Sequence, residues 1–246
     1  MIRLINKQFK NTYSALLSDS YNNASKDFFE TDDFLISKIQ SSRYLFTEES
    51  LKIGIPEPKE LEVYALLSGI SFENKLQKRL LNIQNEINSI IPKNLKYFVH
   101  PENLGLEHCV FKWPHEKWDS EKEKQVNNLL KIYPFEPFNL EIIGVQVHPD
   151  GCVIAKGYDK SLQMNKIRSF FKKNLNFFPV KQSEWSHIPL GRILEPIGKK
   201  NYSLLKKYIM QNKNLEIASI TIKDFKFIFE KKWYMEDRTL INNIKL

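Results

Sequence analysis

Two histidines in similar settings carry the main chemical signal of this sequence. His108 lies in the run Leu-Glu-His-Cys-Val-Phe, and His187 lies 79 residues further along, in Trp-Ser-His-Ile-Pro-Leu-Gly-Arg. A neutral imidazole can accept a proton from an attacking hydroxyl or water while a protonated imidazole donates to a leaving oxygen, because the unperturbed pKa of histidine is about 6.5. Two imidazoles facing one cleft therefore suit cleavage of a phosphodiester, and we expect His108 and His187 to be that acid–base pair.

The neighbours of each histidine affect how well such a pair would work. Side chains at i and i+2 of a strand share a face, so Val110 should accompany His108 and Pro189 should accompany His187. Neither neighbour has a hydroxyl that could donate to a phosphate. Arg192 follows His187 by five residues and is a fixed cation able to hold a phosphate through two hydrogen bonds.

Other histidines and aromatic residues have weaker cases. His100 precedes a proline and His148 begins the turn His-Pro-Asp-Gly, so we expect both at the surface. His115 is flanked by tryptophans that are expected to cap a core. Trp233 and Tyr234 follow two lysines and could form a base-stacking and phosphate patch, or simply anchor two rings on the core.

Hydrophobic periodicity predicts the elements that position these residues. In the first half of the chain, Leu76, Leu80, Ile83 and Ile87 recur in steps of three and four, as on one face of a helix. The first half is predicted to contain a strand, a helix, two extended runs and a helix, over 61–67, 72–91, 95–112 and 116–131. Ser71 is the expected N-cap of the helix over 72–91, and Pro92 its stop.

The second half repeats this order. The turn His148-Pro-Asp-Gly151 joins two strands as a hairpin. The predicted elements of this half are strands 138–147 and 152–158, helix 161–175, a strand around His187, helix 202–210, and strands 217–230 and about 239–244. Hairpins favour antiparallel sheets with the helices on one side. We therefore predict an α+β fold with two pseudo-symmetric lobes, each an antiparallel sheet with helices on its outer side, and a central cleft.

Residues 1–58 differ from the remainder, 59–246. They mix Asn, Ser and Asp with short aromatic clusters and end at Pro56-Glu-Pro58, which favours an extended connector. We expect a helical extension that packs on the main body.

The charge of the chain is unevenly distributed. From residue 151 to the end there are 19 Lys and Arg against 8 Asp and Glu, whereas residues 1–150 contain 18 basic and 21 acidic residues. Two interpretations are open: a basic half that attracts polyanions, or a Lys- and Asn-rich surface that serves solubility alone.

The remaining composition excludes several classes of protein. Cys109 and Cys152 are the two cysteines, too few for a disulfide framework or a four-cysteine metal site, and they suit a reducing compartment. No metal site and no cofactor are expected, since no pair of His or Cys has ligand spacing except His108 and Cys109, which should face opposite ways. The sequence predicts a cytoplasmic, monomeric protein without a signal peptide or membrane span.

Taken together, these motifs resemble the 2H phosphoesterase superfamily, of the 2′–5′ RNA ligase-like kind. The resemblance covers roughly residues 60–246. It rests on the two histidine-centred strands, on His187-Ile-Pro-Leu-Gly-Arg192, on Tyr97-Phe-Val-His-Pro-Glu-Asn-Leu and on the closing Trp233-Tyr-Met-Glu. It implies two α+β lobes that each supply a His-x-Thr/Ser motif, and metal-independent cleavage or formation of 2′,5′ or 2′,3′-cyclic phosphodiesters.

The resemblance assigns His108 and His187 as catalytic residues. Val110 and Pro189 replace both motif hydroxyls, and loss of one such donor costs on the order of 10²–10³ in rate by analogy with oxyanion holes. Two hypotheses follow. One is a phosphodiesterase acting on RNA ends, cyclic phosphates or a nucleotide-derived small molecule, with Arg192, Trp233 and Tyr234 binding substrate. The other is a catalytically degenerate protein that binds RNA or a nucleotide, or serves as an interaction module.

Overall fold

The computed structural model describes the backbone of residues 2–246 and the side chains of residues 15–246. Residues 2–52 contain three helices, α1 (Ile2–Glu30), α2 (Ile36–Arg43) and α3 (Glu48–Lys52). The predicted helical extension is therefore confirmed, while the division of the chain at residue 58 stays a prediction. In the part of the chain that is described, no helix is both long and apolar enough to cross a bilayer.

The rest of the chain alternates strands with four long helices. The strands are β1 (Glu60–Gly69), β2 (Lys96–Phe98), β3 (Gly105–Lys112), β4 (Phe138–Val147), β5 (Cys152–Tyr158), β6 (Ile188–Ile193), β7 (Glu216–Ile222), β8 (Asp224–Lys232) and β9 (Asp237–Lys245). The helices are α4 (Asn74–Ile90), α5 (Ser120–Ile132), α6 (Gln163–Asn174) and α7 (Lys199–Asn212). Short 3-10 turns occupy Pro101–Asn103 and Trp233–Met235.

Two antiparallel sheets make two lobes, as predicted. The first lobe has the strand order β3-β1-β8-β9 and the second lobe β2-β6-β5-β4-β7. The lobes do not coincide with the halves of the sequence, because β2 joins the second sheet and β8 and β9 return to the first. The run predicted as one strand over 217–230 is in fact two strands, β7 and β8, in different sheets.

The predicted helical faces are buried as expected. Leu76, Leu80, Ile83 and Ile87 of α4 all lie in the main core, and the helix ends before Pro92. The expected N-cap at Ser71 is wrong: α4 begins at Asn74, and its N-cap Glu73 makes no side-chain hydrogen bond. Apolar burial against the sheet therefore fixes this helix without a capping side chain, as is common for amphipathic helices.

Helix α1 is attached to the second lobe by specific polar contacts. The Tyr21 hydroxyl donates to the Gly157 carbonyl oxygen over 3.1 Å, and the Gln146 side chain donates to the Tyr21 carbonyl oxygen over 2.6 Å. Further along, the Arg43 guanidinium donates to the carbonyl oxygen of Leu194 over 2.7 Å. The extension thus follows the second lobe before it enters β1 of the first.

We predict that Gly157→Ala destabilises the protein strongly. A Cβ at Gly157 would lie 1.8 Å from the Ser186 carbonyl oxygen, and such overpacking costs about 3 kcal/mol of unfolding free energy. Gly105→Ala is the matched control, because its Cβ would meet its nearest neighbour at 3.5 Å. Urea denaturation should show a loss for Gly157→Ala only. Equal midpoints for the two variants would contradict the close approach.

Candidate functional site

A cavity of about 230 Å³ lies between the two lobes, and we call it the interlobe cavity. The first lobe and its turns supply Val63, Leu67, Asn103, Gly105, Glu107, Trp113, Glu230, Trp233, Tyr234 and Met235, and the second lobe supplies Val99, Cys152, Ser183, His187, Pro189 and Arg192. It is the place at which residues of the two sheets meet, so it corresponds to the predicted central cleft.

His187 lines the interlobe cavity, as predicted. It stands immediately before β6, half-buried, with its ring edge-on to Trp185 at 5.7 Å between centroids. Burial, then the charges of His148 and Arg192, lower its pKa to about 3. Its Nδ1 is buried and makes no hydrogen bond to the described residues. At neutral pH the ring is therefore a neutral imidazole, able to accept a proton and unable to supply one.

His108 does not line the interlobe cavity. It is 0% exposed on the helix-facing side of the first sheet, with Nε2 2.7 Å from the Ser68 hydroxyl and Nδ1 2.7 Å from the Met164 sulfur. Burial, then the charge of Arg168, lowers its pKa to about 3. The expectation that two imidazoles face one cleft is therefore wrong for His108, which is placed as a core residue.

A β-bulge explains this placement. Along β3, Cys109 lies opposite Leu66 of β1, while Glu107 lies opposite Leu67, so His108 is an extra residue without a partner. One extra residue shifts the alternation of faces. As a result Glu107 lines the interlobe cavity, and His108 and Val110 do not share a face as the regular alternation predicted.

The two positions that lack hydroxyls form apolar surface. Val110 is buried in a small cluster with Val63 and Ala65, against which Trp113 and Trp233 pack. Pro189 lines the interlobe cavity directly. Near both motifs, side chains that could donate to a phosphate are thus replaced by apolar groups that can only pack against a ligand.

Arg192 lies at the cavity but already has several partners. Its Nε donates to the Tyr234 hydroxyl over 2.7 Å, and its Nη1 donates to the Ser42 hydroxyl over 2.8 Å and to an Asp150 carboxylate oxygen over 2.7 Å. These bonds connect the first lobe, the extension and the β4–β5 turn. The predicted two-bond grip on a phosphate is consequently reduced, because two of its three nitrogens are engaged and Asp150 offsets its charge.

The aromatic pair Trp233 and Tyr234 divides between two roles. Tyr234 is buried, adopts a left-handed backbone conformation (φ 62°) and stacks on Tyr97 at 5.1 Å. Its hydroxyl accepts from Arg192, so it supports the wall of the cavity. Trp233 is half-buried, and together with Trp113 it gives the cavity two aromatic side chains.

Sequence reasoning missed two acidic residues in the cavity. Glu230 is 5% exposed. Its burial, followed by the charge of Glu107, raises its pKa to about 8, although two backbone hydrogen bonds act in the opposite direction. Burial also raises the pKa of Glu107. Glu230 therefore carries a proton at neutral pH. The available signal was an acid closing the apolar run Phe-Lys-Phe-Ile-Phe-Glu.

Of the two other histidines that were expected at the surface, one lies there. His100 and His115 are exposed. The prediction for His148 is wrong: it is half-buried beside Trp185, at 5.1 Å between ring centroids, and burial lowers its pKa to about 4. Among the described side chains, those of residues 15–246, no group of three or more His, Cys, Asp or Glu could hold a metal ion.

Comparison with known proteins gives similarity in structure only. No protein-family model and no curated protein matches the sequence. A conserved protein of unknown function, ATU0111 of Agrobacterium tumefaciens, superposes with a TM-score of 0.58 at 13% identity, over 76% of this chain and 87% of its own.

Two further solved structures are similar over almost their whole length. A phosphoesterase superposes with a TM-score of 0.53 and Escherichia coli LigT in complex with 3′-AMP with 0.51, each at 14% identity, over 76% of this chain and 99% of theirs. The chain therefore has the two-lobed fold of the 2H phosphoesterases, and the resemblance drawn from its motifs is confirmed at that level.

We predict that His108 makes the protein acid-sensitive. In the folded protein His108 stays neutral to about pH 3, whereas its ordinary pKa is 6.5. The unfolded chain thus takes up a proton first, so this stability is complete above pH 6.5 and is lost as the pH falls towards 3.

In the variant His108→Gln, the free energy of unfolding should accordingly fall less steeply as the pH is lowered from 6.5 to 4. The slope should be smaller than in the wild type by up to about 1.4 kcal/mol per pH unit. Urea denaturation at several pH values measures this. His115→Gln, the same change at an exposed histidine, should keep the wild-type dependence. An identical slope in both variants would show that His108 is accessible to protons in the folded state.

Proposed function

We propose that the interlobe cavity binds a nucleotide or an RNA end through its phosphate and base, and that the paired-histidine reaction of the fold is absent. The observation that carries this proposal is the position of His108, which faces the core while His187 faces the cavity. An acid and a base act on one substrate only when both lie within hydrogen-bonding reach of it.

The replaced hydroxyls support the same proposal. A transition state of phosphoryl transfer needs donors aimed at its developing charge, and Val110 and Pro189 offer none. With His108 also displaced by the bulge, three of the four residues that the two motifs would supply are missing from the cavity. Nucleotide binding does not require an acid and a base at fixed positions, so it can be retained where paired-histidine catalysis is lost.

The cavity retains features suited to a nucleotide. Trp113 and Trp233 provide rings for a base, and stacking of this kind tolerates any base. Arg192 and the basic second half of the chain provide an attractive field for a phosphate. The LigT neighbour holds 3′-AMP, which combines a base with a single phosphate and is a suitable first ligand to test.

Binding should depend on the cavity and not on His108. We expect 3′-AMP to bind wild-type protein, and Trp233→Leu to weaken binding by about 5- to 150-fold, as lost stacking of 1–3 kcal/mol implies. His108→Gln should leave the affinity unchanged. Calorimetric titration measures each case.

Trp118→Leu is the matched control for Trp233→Leu, because Trp118 is half-buried and stacks on Tyr64 without lining the cavity. The same proteins should be assayed against 2′,3′-cyclic nucleotides and 2′,5′-linked oligonucleotides. Wild-type turnover that disappears in both His108→Ala and His187→Ala would contradict the proposal and restore the paired-histidine reaction.

A second candidate, phosphodiester hydrolysis by a different pair, is favoured by the protonation of Glu230. Neutral His187 would remove a proton from the attacking water as the water oxygen bonds to phosphorus. Protonated Glu230 would donate its proton to the oxygen that leaves. The two roles fit the pKa values of about 3 for His187 and about 8 for Glu230.

This candidate has a distinctive pH dependence. Activity requires neutral His187 and protonated Glu230, so kcat/KM should be level between about pH 4 and 7 and fall tenfold per unit above about pH 8. Glu230→Gln should lower the rate by about 10²–10⁴ while 3′-AMP still binds. A rate that rises beyond pH 8 would exclude Glu230 as the acid.

A further inference from the structure

We infer that helix α1 limits the interlobe cavity to a single nucleotide, or to one nucleotide at the end of a strand, and prevents a continuous RNA strand from lying along the second lobe. This inference rests on the proposed function, since it specifies which class of nucleotide ligand the cavity admits. It is drawn from the face of the second sheet on which α1 packs.

The two faces of β5 identify that position. Val153 and Ala155 point into the main core, which also contains the buried residues of α4 and α7. Cys152 and Ile154 point to the opposite face, where Leu17 and Tyr21 of α1 cover them. Cys152 also lines the interlobe cavity, so α1 and the cavity occupy adjacent parts of the same face.

An aromatic chain extends from α1 to the wall of the cavity. The Tyr21 ring lies 5.2 Å from that of Trp185, which in turn lies 5.7 Å from that of His187. The Trp185 indole N–H donates to the Ser20 hydroxyl over 2.9 Å. The helix therefore reaches, through one side chain, the imidazole that faces the cavity.

The extension contacts the cavity at a second point. Ser42 of α2 accepts a hydrogen bond from Arg192 and donates to the carbonyl oxygen of Asp150. Both basic side chains of the cavity, His187 and Arg192, are thus approached by the segment that precedes β1. A strand of RNA crossing this face would have to displace α1 and its hydrogen bonds to Gly157 and Gln146.

The size of the cavity agrees with this restriction. About 230 Å³ falls below the range of roughly 300–1,000 Å³ typical of pockets for drug-sized ligands.

A ligand-length series tests the inference on the full chain. The probes are 3′-AMP and RNAs of two, four and eight nucleotides that end in a 3′-phosphate, titrated by fluorescence anisotropy or calorimetry. We expect affinities within about threefold of one another, because only one nucleotide enters. If RNA instead bound along a continuous groove, the affinity would rise about 5- to 150-fold with each further stacked base.

Paired variants of α1 test the cause. Leu17→Ala/Tyr21→Ala removes two side chains of α1 that cover Cys152 and Ile154. It should raise the affinity for the eight-nucleotide RNA at least tenfold, while the affinity for 3′-AMP changes less than threefold. Leu16→Ala/Asn22→Ala is the matched control, since Leu16 is 62% exposed and Asn22 is exposed on the same helix. It should behave as wild type.

Hydrogen exchange of the α1 amides covers the case in which the first double variant fails to fold. In wild-type protein, the eight-nucleotide RNA should leave exchange in α1 unchanged, and faster exchange would show that a strand displaces the helix and would overturn the inference. Affinity that rises tenfold or more with length in wild-type protein would also overturn it and leave the proposed function intact. Failure of 3′-AMP and every RNA to bind would refute the proposed function, and with it the inference.

Discussion

The bulge in β3 is the constraint on which the chemistry of this protein depends. A strand presents alternate side chains to its two faces, so one unpaired residue exchanges the faces of everything on one side of it. Here it directs His108 towards Met164 and Ser68, and Glu107 into the interlobe cavity. The bulge therefore determines which side chains of β3 reach the interlobe cavity and which lie in the core.

The cavity consequently contains an unusual set of protonation states. His187 is neutral and Glu230 is protonated at pH 7 because burial disfavours the charged form of each. Arg192 retains its charge, and its partners Tyr234 and Asp150 hold it in place. Such a site presents one paired cation and apolar walls to a ligand, which suits recognition of a phosphate with an attached ring better than stabilisation of a highly charged transition state.

Arg192 also connects the cavity to the stability of the whole chain. Its hydrogen bonds join the first lobe, the β4–β5 turn and the N-terminal extension, three parts that are distant in sequence. A buried, fully bonded arginine is costly to remove, because its partners would be left without hydrogen bonds. In the proposed function, a phosphate bound at Arg192 would use the same guanidinium that holds the extension, so the two interactions would be coupled.

The sequence by itself determined the elements, the α+β class and the helical extension, because periodicities such as that of Leu76, Leu80, Ile83 and Ile87 reflect local geometry and burial. It also placed His187 and Arg192 at the cavity, through a motif that lies at one strand. Only the tertiary structure decided that β2, β8 and β9 exchange between lobes, that His108 is a core residue and that Glu107 and Glu230 line the cavity. A bulge arises from pairing with a strand some forty residues away. The alternation of residues within one strand does not show where that pairing is interrupted.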